Sequence, residues 1–388
     1  MEQSFRINLR VMRIFHLYPP EESTRWFQIR AYVMHLLFVM PVPTLGILYL
    51  LLEDNLDIER VNYNAAFLAQ TTCFITKILP FIRNGQRIKQ CIMFFESPFF
   101  ALKNDQHKII MNNCIKICQR NTLIFFIFVI GSVGTWSTKP LFWQGRNLPV
   151  DVWLPFSTVK ATNYYFIYIF LVTGVFYTSF CTGVIDPLIA GLAYHATSQV
   201  IILKDNLQHL GKSADEQINR GNTNIPEQSL TQSELIYNKI RQCIRHHNLI
   251  LKFVKEYEEC FSSSVFSQIA ASVFVIGFSC LQLSKIQSFG YYFLQLVTYF
   301  GVILAEIYFY CYYGTTLAEE SNTLTNAIYM GNWYNYDVKS RKALITLMEG
   351  AKQPMTVTAG KIIDLSLSTF VAILKKSYSL IAVLKNYQ

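Results

Sequence analysis

The stretch Asn121–Thr138 reads NTLIFFIFVIGSVGTWST and contains no charged side chain. Its 18 residues would extend about 27 Å as an α-helix, which is close to the thickness of the hydrocarbon core of a bilayer. An apolar helix of a soluble bundle keeps a polar stripe toward water, and this stretch has none. The sequence therefore predicts that this segment crosses a membrane.

Six other windows have the same charge-poor character. With the quoted stretch they predict seven spans, at about residues 31–52, 61–82, 121–138, 161–193, 264–284, 286–318 and 362–384. The composition agrees, since 52% of residues are hydrophobic and 15% are charged, whereas soluble domains are roughly a quarter charged. This excludes disordered and fibrous classes. We predict an all-α membrane protein that forms a single seven-helix domain over residues 1–388.

The basic residues outside the spans predict the orientation of the chain. The N-terminal segment and the loops 2–3 and 6–7 hold 17 Lys and Arg, against 6 on the opposite side, with the long loop 4–5 left out of the comparison. The positive-inside rule then places the N-terminus in the cytoplasm and the C-terminus outside. This inverts the topology of a G-protein-coupled receptor, which stays open as an alternative class. The net charge of +9 is assigned to loops that face membrane lipid, so no nucleic-acid partner is predicted.

Catalytic and metal-binding motifs are sparse. The sequence contains no GxSxG, no Walker loop and no HExxH motif, so we predict neither an enzyme nor a cofactor. Cys114 and Cys118 are four positions apart on a predicted helix, with His107 upstream. Ordinary residues of an amphipathic helix explain this pattern better than zinc, so no metal site is predicted.

Three of the charged residues inside the predicted spans are candidates for mutual pairing. Lys77, Asp186 and Glu306 are costly at membrane depth and are predicted to be structural or gating-related, with Lys77 as the natural partner by sign. The neighbouring His246 and His247 fall in a long helical run and are predicted to lie on a solvated face.

The C-terminal region carries a family resemblance. Residues 351–384 read AKQPMTVTAGKIIDLSLSTFVAILKKSYSLIAVL, which resembles the C-terminal signature of insect odorant receptors. The matching elements are Pro354, Thr358-Ala359-Gly360, Leu365-Ser366, Thr369-Phe370 and Ser377-Tyr378-Ser379. The outer loop adds a second match in Arg146-Asn147-Leu148-Pro149 and Trp153-Leu154-Pro155-Phe156.

The resemblance implies an odorant-gated cation channel that assembles as a tetramer around a pore lined by the last span. It implies three partners: a shared coreceptor, a small volatile odorant and membrane lipid. The coreceptor of this family has a much longer loop 4–5 than the roughly 70 residues here, so the chain resembles an odor-tuned subunit. It also implies the cell membrane of an olfactory neuron dendrite, and a cytoplasmic anchor helix at about 336–352 where subunits meet.

The family's ligand site lies in the outer half of the membrane, which directs attention to the outer turns of spans 2, 3, 4 and 6. Residues that share one helical face there are the predicted ligand-binding set: Gln70, Thr71, Phe74, Val129, Ser132, Val133, Trp136, Tyr165, Tyr168, Ile169, Val172, Tyr292, Leu296 and Tyr299. Their aromatic character predicts a small, apolar and plausibly aromatic ligand.

The last span supplies the predicted ion path. By position relative to Ser377-Tyr378, Ile381 matches the family's hydrophobic gate, and Leu384 and Lys385 are predicted to line the outer mouth. A lysine there opposes cation conduction and departs from what a cation pore requires. This predicts a heteromer that contains few copies of this chain.

Overall fold

The computed structural model describes residues 2–20, 25–53, 58–100, 104–138, 140, 148–156, 160–212, 214, 232–286 and 290–386. These residues form an almost entirely helical protein. The α-helices are α1 (Arg6–Ile14), α2 (Arg25–Phe38), α3 (Pro41–Leu52), α4 (Ile58–Arg83), α5 (Gly85–Met93), α6 (Asp105–Thr138), α7 (Ala161–Gln208), α8 (Gln232–Lys285), α9 (Tyr291–Asn322), α10 (Leu324–Met330), α11 (Val338–Gly350) and α12 (Leu367–Asn386). Two short strands, β1 (Thr358–Ala359) and β2 (Ile363–Asp364), pair antiparallel before α12.

Six stretches within the described residues are long and apolar enough to cross a membrane: Arg25–Leu52, Asn64–Arg83, Asp105–Thr138, Ala161–Gln208, Gln232–Ser284 and Tyr291–Met330. Helix α12 has 20 residues, or about 30 Å, which is the length that the predicted seventh span requires. Large apolar side chains such as Leu36, Ile127 and Phe166 are exposed on these helices, as expected for surfaces that face lipid. The predicted all-α membrane fold is confirmed, with the two-residue strands as a minor exception.

The first predicted span is two helices. Helix α2 ends at Phe38 and α3 begins at Pro41, because proline has no backbone N–H and its ring disfavours a helix interior while suiting the first turn. The two last predicted spans begin too early. Helix α9 starts at Tyr291 rather than 286, and residues 362–366 belong to the strand pair and its exit rather than to α12.

Helices α7 and α8 are much longer than a bilayer requires. Their 48 and 54 residues correspond to about 72 and 81 Å, against about 30 Å of hydrocarbon. Both extend well beyond the predicted spans, and α8 packs along α4 while α7 packs on α6 and α9. His246 and His247 lie in this extension and are buried, not solvated as predicted, with His246 Nε2 3.0 Å from Gln199 Oε1 on α7.

The Thr358-Ala359-Gly360 motif makes a turn that is fastened to α8. Thr358 donates both its N–H and its hydroxyl to Glu258 Oε1 at 2.7 Å, and the Ser262 hydroxyl donates to the Thr358 carbonyl. Gly360 has φ +61°, a left-handed conformation that glycine adopts without strain. The motif therefore fixes the segment that leads into the last helix.

The start of α12 explains a second part of the C-terminal motif. The Ser366 hydroxyl accepts the Thr369 N–H at 3.2 Å, as an N-cap residue does, and the Thr369 hydroxyl donates to the Asp364 carbonyl at 2.7 Å. The Thr315 hydroxyl on α9 accepts the Leu367 N–H at 2.8 Å. The last helix is thus tied at its first turn to α9.

Helix α11 corresponds to the predicted anchor helix. Asp337 caps it by accepting the Lys339 and Ser340 N–H groups. Leu344 and Leu347 of this helix are buried, and the helix packs on α8 of the same chain. These two side chains are therefore covered within the subunit and do not require another subunit to bury them.

Candidate functional site

A cavity of about 120 Å³ lies among α4, α6, α7, α8 and α9. Its lining is Ala66, Phe67, Gln70, Thr71, Phe74, Val129, Ser132, Val133, Trp136, Val175, Thr178, Ser179, Thr182, Ser279, Gln282, Gln295, Leu296, Tyr299, Val302 and Ile303. An apolar protein cavity of roughly 150 Å³ holds one benzene molecule. The space is therefore suited to a molecule of about one ring.

Trp136 forms one wall of the cavity. Its ring stacks on Phe67 with centroids 5.4 Å apart and planes 2° apart. Its indole nitrogen Nε1 and the Gln282 amide nitrogen are buried without a hydrogen-bond partner among the described residues. Both are donors, and a buried donor without an acceptor is costly. A ligand that carries an acceptor oxygen would satisfy them.

Two of the hydroxyls on the lining donate to carbonyls of their own helices. Thr71 donates to the Phe67 carbonyl at 3.1 Å, and Thr178 donates to the Val175 carbonyl at 2.9 Å. Because these two hydroxyl donors are already used, they do not need a hydrogen bond with a ligand. The cavity consequently presents an apolar surface with a few oriented polar groups, as small-molecule sites usually do.

Nine of the predicted ligand-binding residues line this cavity. They are Gln70, Thr71, Phe74, Val129, Ser132, Val133, Trp136, Leu296 and Tyr299. The predicted faces of α4 and α6 therefore converge on one space, together with two residues of α9.

The remaining five predicted residues, Tyr165, Tyr168, Ile169, Val172 and Tyr292, are not on the lining. Tyr165 and Ile169 are about 60% exposed on the outer surface of α7. Tyr168 donates its hydroxyl to the Ser137 carbonyl at 2.6 Å and so joins α7 to the end of α6. Seven residues after Tyr168, about two turns deeper on the same face, Val175 begins the part of α7 that does line the cavity.

The predicted set contains no residue of α8 and none from the deeper turns of α7. The α7 residues Val175, Thr178 and Thr182 follow the i, i+3, i+7 spacing of one helical face, which was the available signal. Ser279 and Gln282 on α8 are i and i+3 in the fifth span, which the predicted set left out.

A buried charged cluster lies one turn below the cavity. Lys77 forms ion pairs with Asp186 and Glu306, and all three side chains are at most 1% exposed. Gln268 donates to Glu306 at 2.8 Å, and the Tyr310 hydroxyl donates to Asp186 at 2.6 Å. The cluster connects α4, α7, α8 and α9 through ion pairs and hydrogen bonds. These are four of the five helices that line the cavity.

The lining and the cluster are adjacent along three helices. Lys77 follows the lining residue Phe74 by three positions, and Glu306 follows Ile303 by three. Asp186 follows Thr182 by four positions. Residues three and four apart on a helix are neighbours on one face, so each charge is stacked directly under a cavity wall.

The outer loop packs beside the cavity wall. Trp153 donates its backbone N–H to the Leu45 carbonyl at 3.0 Å, and Val150 and Val152 are buried in one cluster with Trp136. Arg146-Asn147, the beginning of the loop motif, lies outside the described residues. The backbone of α12 includes positions 381, 384 and 385, whereas the side chains of Ile381, Leu384 and Lys385 lie outside the described residues.

The sequence and the fold both match known odorant receptors. The sequence profile described as "7tm Odorant receptor" matches residues 57–378. Odorant receptor Or1 of Anopheles gambiae is 23% identical, with 99% of this chain and 95% of the relative covered. Odorant receptor 94a of Drosophila melanogaster is 25% identical, with 99% and 97% covered.

Solved structures match over the same length. The olfactory receptor OR5 of Machilis hrabei superposes with a TM-score of 0.83 at 15% identity, covering 99% of this chain and 97% of that one. The same receptor in complex with eugenol gives a TM-score of 0.80 at 16% identity. Because the family profile covers most of the sequence and the seven-helix fold agrees, this chain belongs to the 7tm odorant receptor family, whose members are receptors and not enzymes.

Proposed function

We propose that this chain is the odor-tuned subunit of a ligand-gated cation channel and opens a pore that it shares with a coreceptor. The observation that carries the proposal is the cavity among five helices with the Lys77 cluster directly beneath it. A ligand that fills the cavity presses on α4, α7 and α9, the helices that hold the cluster. Because the cluster connects these helices, a ligand in the cavity would change how they are positioned relative to one another at the depth of the cluster.

The ligand is proposed to be small, largely apolar and aromatic, with one acceptor oxygen. The apolar walls and the Trp136–Phe67 stack favour a ring, and the indole N–H of Trp136 favours an acceptor. The related OR5 was solved in complex with eugenol, which supports a ligand site in this fold. At roughly 0.3–1.5 kcal/mol per heavy atom, about ten atoms give micromolar affinity.

The proposed setting is the cell membrane of an olfactory neuron dendrite, with the N-terminus in the cytoplasm. The 17 to 6 distribution of basic residues supports this orientation. The short loop 4–5 and Lys385 support a subunit that depends on a coreceptor and is present in few copies.

The test is whole-cell recording during a screen of one-ring odorants, with the chain expressed alone and with an odorant receptor coreceptor. We expect little or no odor-evoked current from the chain alone and a robust current on co-expression. The coreceptor expressed alone is the control for currents that do not depend on this chain. A robust odor-evoked current from the chain by itself would contradict the shared pore.

A further inference from the structure

Two thiols and an imidazole meet where α6 packs on α7. Cys114 and Cys118 lie on successive turns of α6, and His195 lies on α7. One donor atom from each of the three lies within 4.8 Å of the others. The side chains are 1%, 3% and 1% exposed, so the group is shielded from bulk solvent. This cluster is separate from the cavity, since none of the three lines it.

The hydrogen bonding of His195 leaves one ring nitrogen available. Its Nε2 lies 3.0 Å from the Ser4 hydroxyl, and its Nδ1 is buried with no hydrogen-bond partner in the described part of the chain. If Nε2 carries the proton and donates it to Ser4, Nδ1 holds a free lone pair. Metal-binding histidines are oriented in this way, by a second group that receives the other ring N–H.

The sequence pattern pointed to a different histidine. His107 lies 3.0 Å from Asp205 and is engaged there. His195, 77 positions after Cys118, completes the group instead, because α7 runs alongside α6. Only the tertiary packing of the two helices brings these donors together.

We propose that Cys114, Cys118 and His195 bind a thiophilic metal ion, with Zn²⁺ as the expected occupant. Thiolate and imidazole ligands select zinc and copper over calcium and magnesium, which prefer oxygen. Two thiols lose their protons when the ion binds, so the two thiolate charges cancel the charge of Zn²⁺. The bound group is therefore electrically neutral, which a buried site requires.

The spacing of the donors needs little adjustment. Two sulfurs bound to a tetrahedral zinc at about 2.3 Å are roughly 3.8 Å apart. The three donor atoms lie within 4.8 Å of one another. Side-chain rotation that shortens these distances by about 1 Å would bring them to the spacing of zinc ligands. The Ser198 hydroxyl neighbours Cys114, so it or a water would occupy the fourth position.

A bound ion would fasten the N-terminal segment to the helix bundle. Ser4 contacts His195, and the Phe5 ring packs 5.5 Å from its imidazole. Phe5 is fully buried immediately before α1. The ion would hold α6 to α7 directly and would hold the start of α1 through Ser4. Its role is structural and does not depend on the ligand cavity.

The chain contains a matched control pair. Cys91 on α5 and Cys260 on α8 are also buried, and their thiols are in contact with each other. No histidine joins them in a metal-type group among the described residues. Replacing Cys91 and Cys260 with serine removes the same number of buried thiols without removing the proposed ligands.

The experiment measures zinc and copper by mass spectrometry on the full-length chain, purified in detergent in the assembly in which it is expressed. We expect about one zinc per chain in the unmodified protein and in the Cys91→Ser/Cys260→Ser control. We expect that ion to be lost in Cys114→Ser/Cys118→Ser and reduced in His195→Gln. Zinc retained in the Cys114→Ser/Cys118→Ser variant, or neither metal bound to the unmodified chain, would overturn the proposal. Copper in place of zinc would change the occupant and keep the site.

A second measurement covers variants that fail to fold. The unmodified protein is stripped with a zinc chelator, and its unfolding temperature is recorded before and after zinc is returned. We expect the temperature to fall on stripping and to recover with zinc, in the unmodified protein and the control pair alike. Cobalt added to the stripped protein should give a thiolate-to-cobalt charge-transfer band. An unchanged unfolding temperature without such a band would show buried thiols only, and the proposal would be wrong.

Discussion

Trp136 stacks on Phe67, and its indole nitrogen is buried without an acceptor from the described residues. The ring gives the cavity its flat wall, and the N–H gives the wall one directional group. A ligand can therefore gain from Trp136 in two separable ways, by dispersion against the ring and by a hydrogen bond to the nitrogen. Substitutions at this residue can distinguish the two.

We expect Trp136→Ala to raise the odorant concentration for half-maximal current about tenfold or more, because roughly 1.4 kcal/mol corresponds to a decade. Trp136→Phe keeps a ring and removes the N–H, so it should weaken oxygen-containing odorants and spare hydrocarbons of the same size. Tyr168→Ala is the control, since Tyr168 lies outside the cavity lining. Dose-response curves of the co-expressed channel measure all three. An unchanged curve for Trp136→Ala would remove the cavity as the ligand site.

At the residue scale, the residues predicted on α4 and α6 line the cavity, whereas those predicted on α7 do not. The stripes that contain Phe74 and Trp136 were found because helical periodicity identifies which residues share a face. Periodicity does not say how deep along a helix the facing residues lie. On α7 the cavity lining begins at Val175, two turns beyond Tyr168, because that depth is set by how α7 packs against its neighbours.

At the element scale, the Lys77 cluster shows how separate helices are held together at membrane depth. Lys77 comes from α4, Asp186 from α7 and Glu306 from α9. The sequence indicated that these charges need partners, and sign alone suggested Lys77. It could not show that one lysine serves both acids, because that depends on three helices meeting at one point.

We expect Lys77→Met to be far more damaging than Glu306→Gln. Losing Lys77 leaves two buried acids without a cation, and breaking a buried ion pair in this way costs about 3–5 kcal/mol. Losing the charge on Glu306 leaves a one-to-one pair between Lys77 and Asp186. Surface expression and the unfolding temperature in detergent measure the difference. Equal losses for the two variants would show that the cluster does not act through charge balance.

The contact between α9 and the segment before α12 is unusually close at Gly314. A side-chain carbon added there would overlap the Leu365 carbonyl oxygen, which cannot move without displacing the start of the last helix. We expect Gly314→Ala to destabilise the protein by about 1–3 kcal/mol through overpacking. Gly131→Ala on α6 is the matched control, because nothing lies within 4 Å of its added carbon.

That control should be neutral or slightly stabilising, since alanine favours a helix over glycine by about 1 kcal/mol. Thermal unfolding of the two purified variants beside the unmodified chain gives the comparison. If Gly314→Ala and Gly131→Ala behave alike, the tight approach of α9 to Leu365 does not constrain the last helix.

At the scale of the whole molecule, the arrangement of helices is shared with solved receptors, whereas the side of the membrane that each end faces is predicted from charge. Most basic residues of the short loops fall on the side of the N-terminus. We expect an epitope tag placed after Gln388 to be labelled by antibody on intact cells, and a tag before Met1 to be labelled only after permeabilisation. The opposite result would favour the orientation of a G-protein-coupled receptor.

The predicted ion path runs along one face of α12. Within α12, Ile381 lies three positions before Leu384 and four before Lys385, so the three positions share one helical face. If that face lines the pore, Lys385 sets a positive potential at the outer mouth within a Debye length of about 8 Å. This potential opposes the entry of divalent cations more than that of monovalent ones.

We therefore expect Lys385→Glu to raise calcium permeability relative to sodium while the odorant concentration for half-activation stays the same. Ile381→Ala should raise the current without odorant, because a smaller apolar ring at the gate dewets less readily. Reversal potentials in calcium-rich and sodium-rich solutions, recorded with dose-response curves on the same cells, separate conduction from binding. A fixed reversal potential together with a shifted half-activation concentration in Lys385→Glu would place this face at a ligand site instead of the pore.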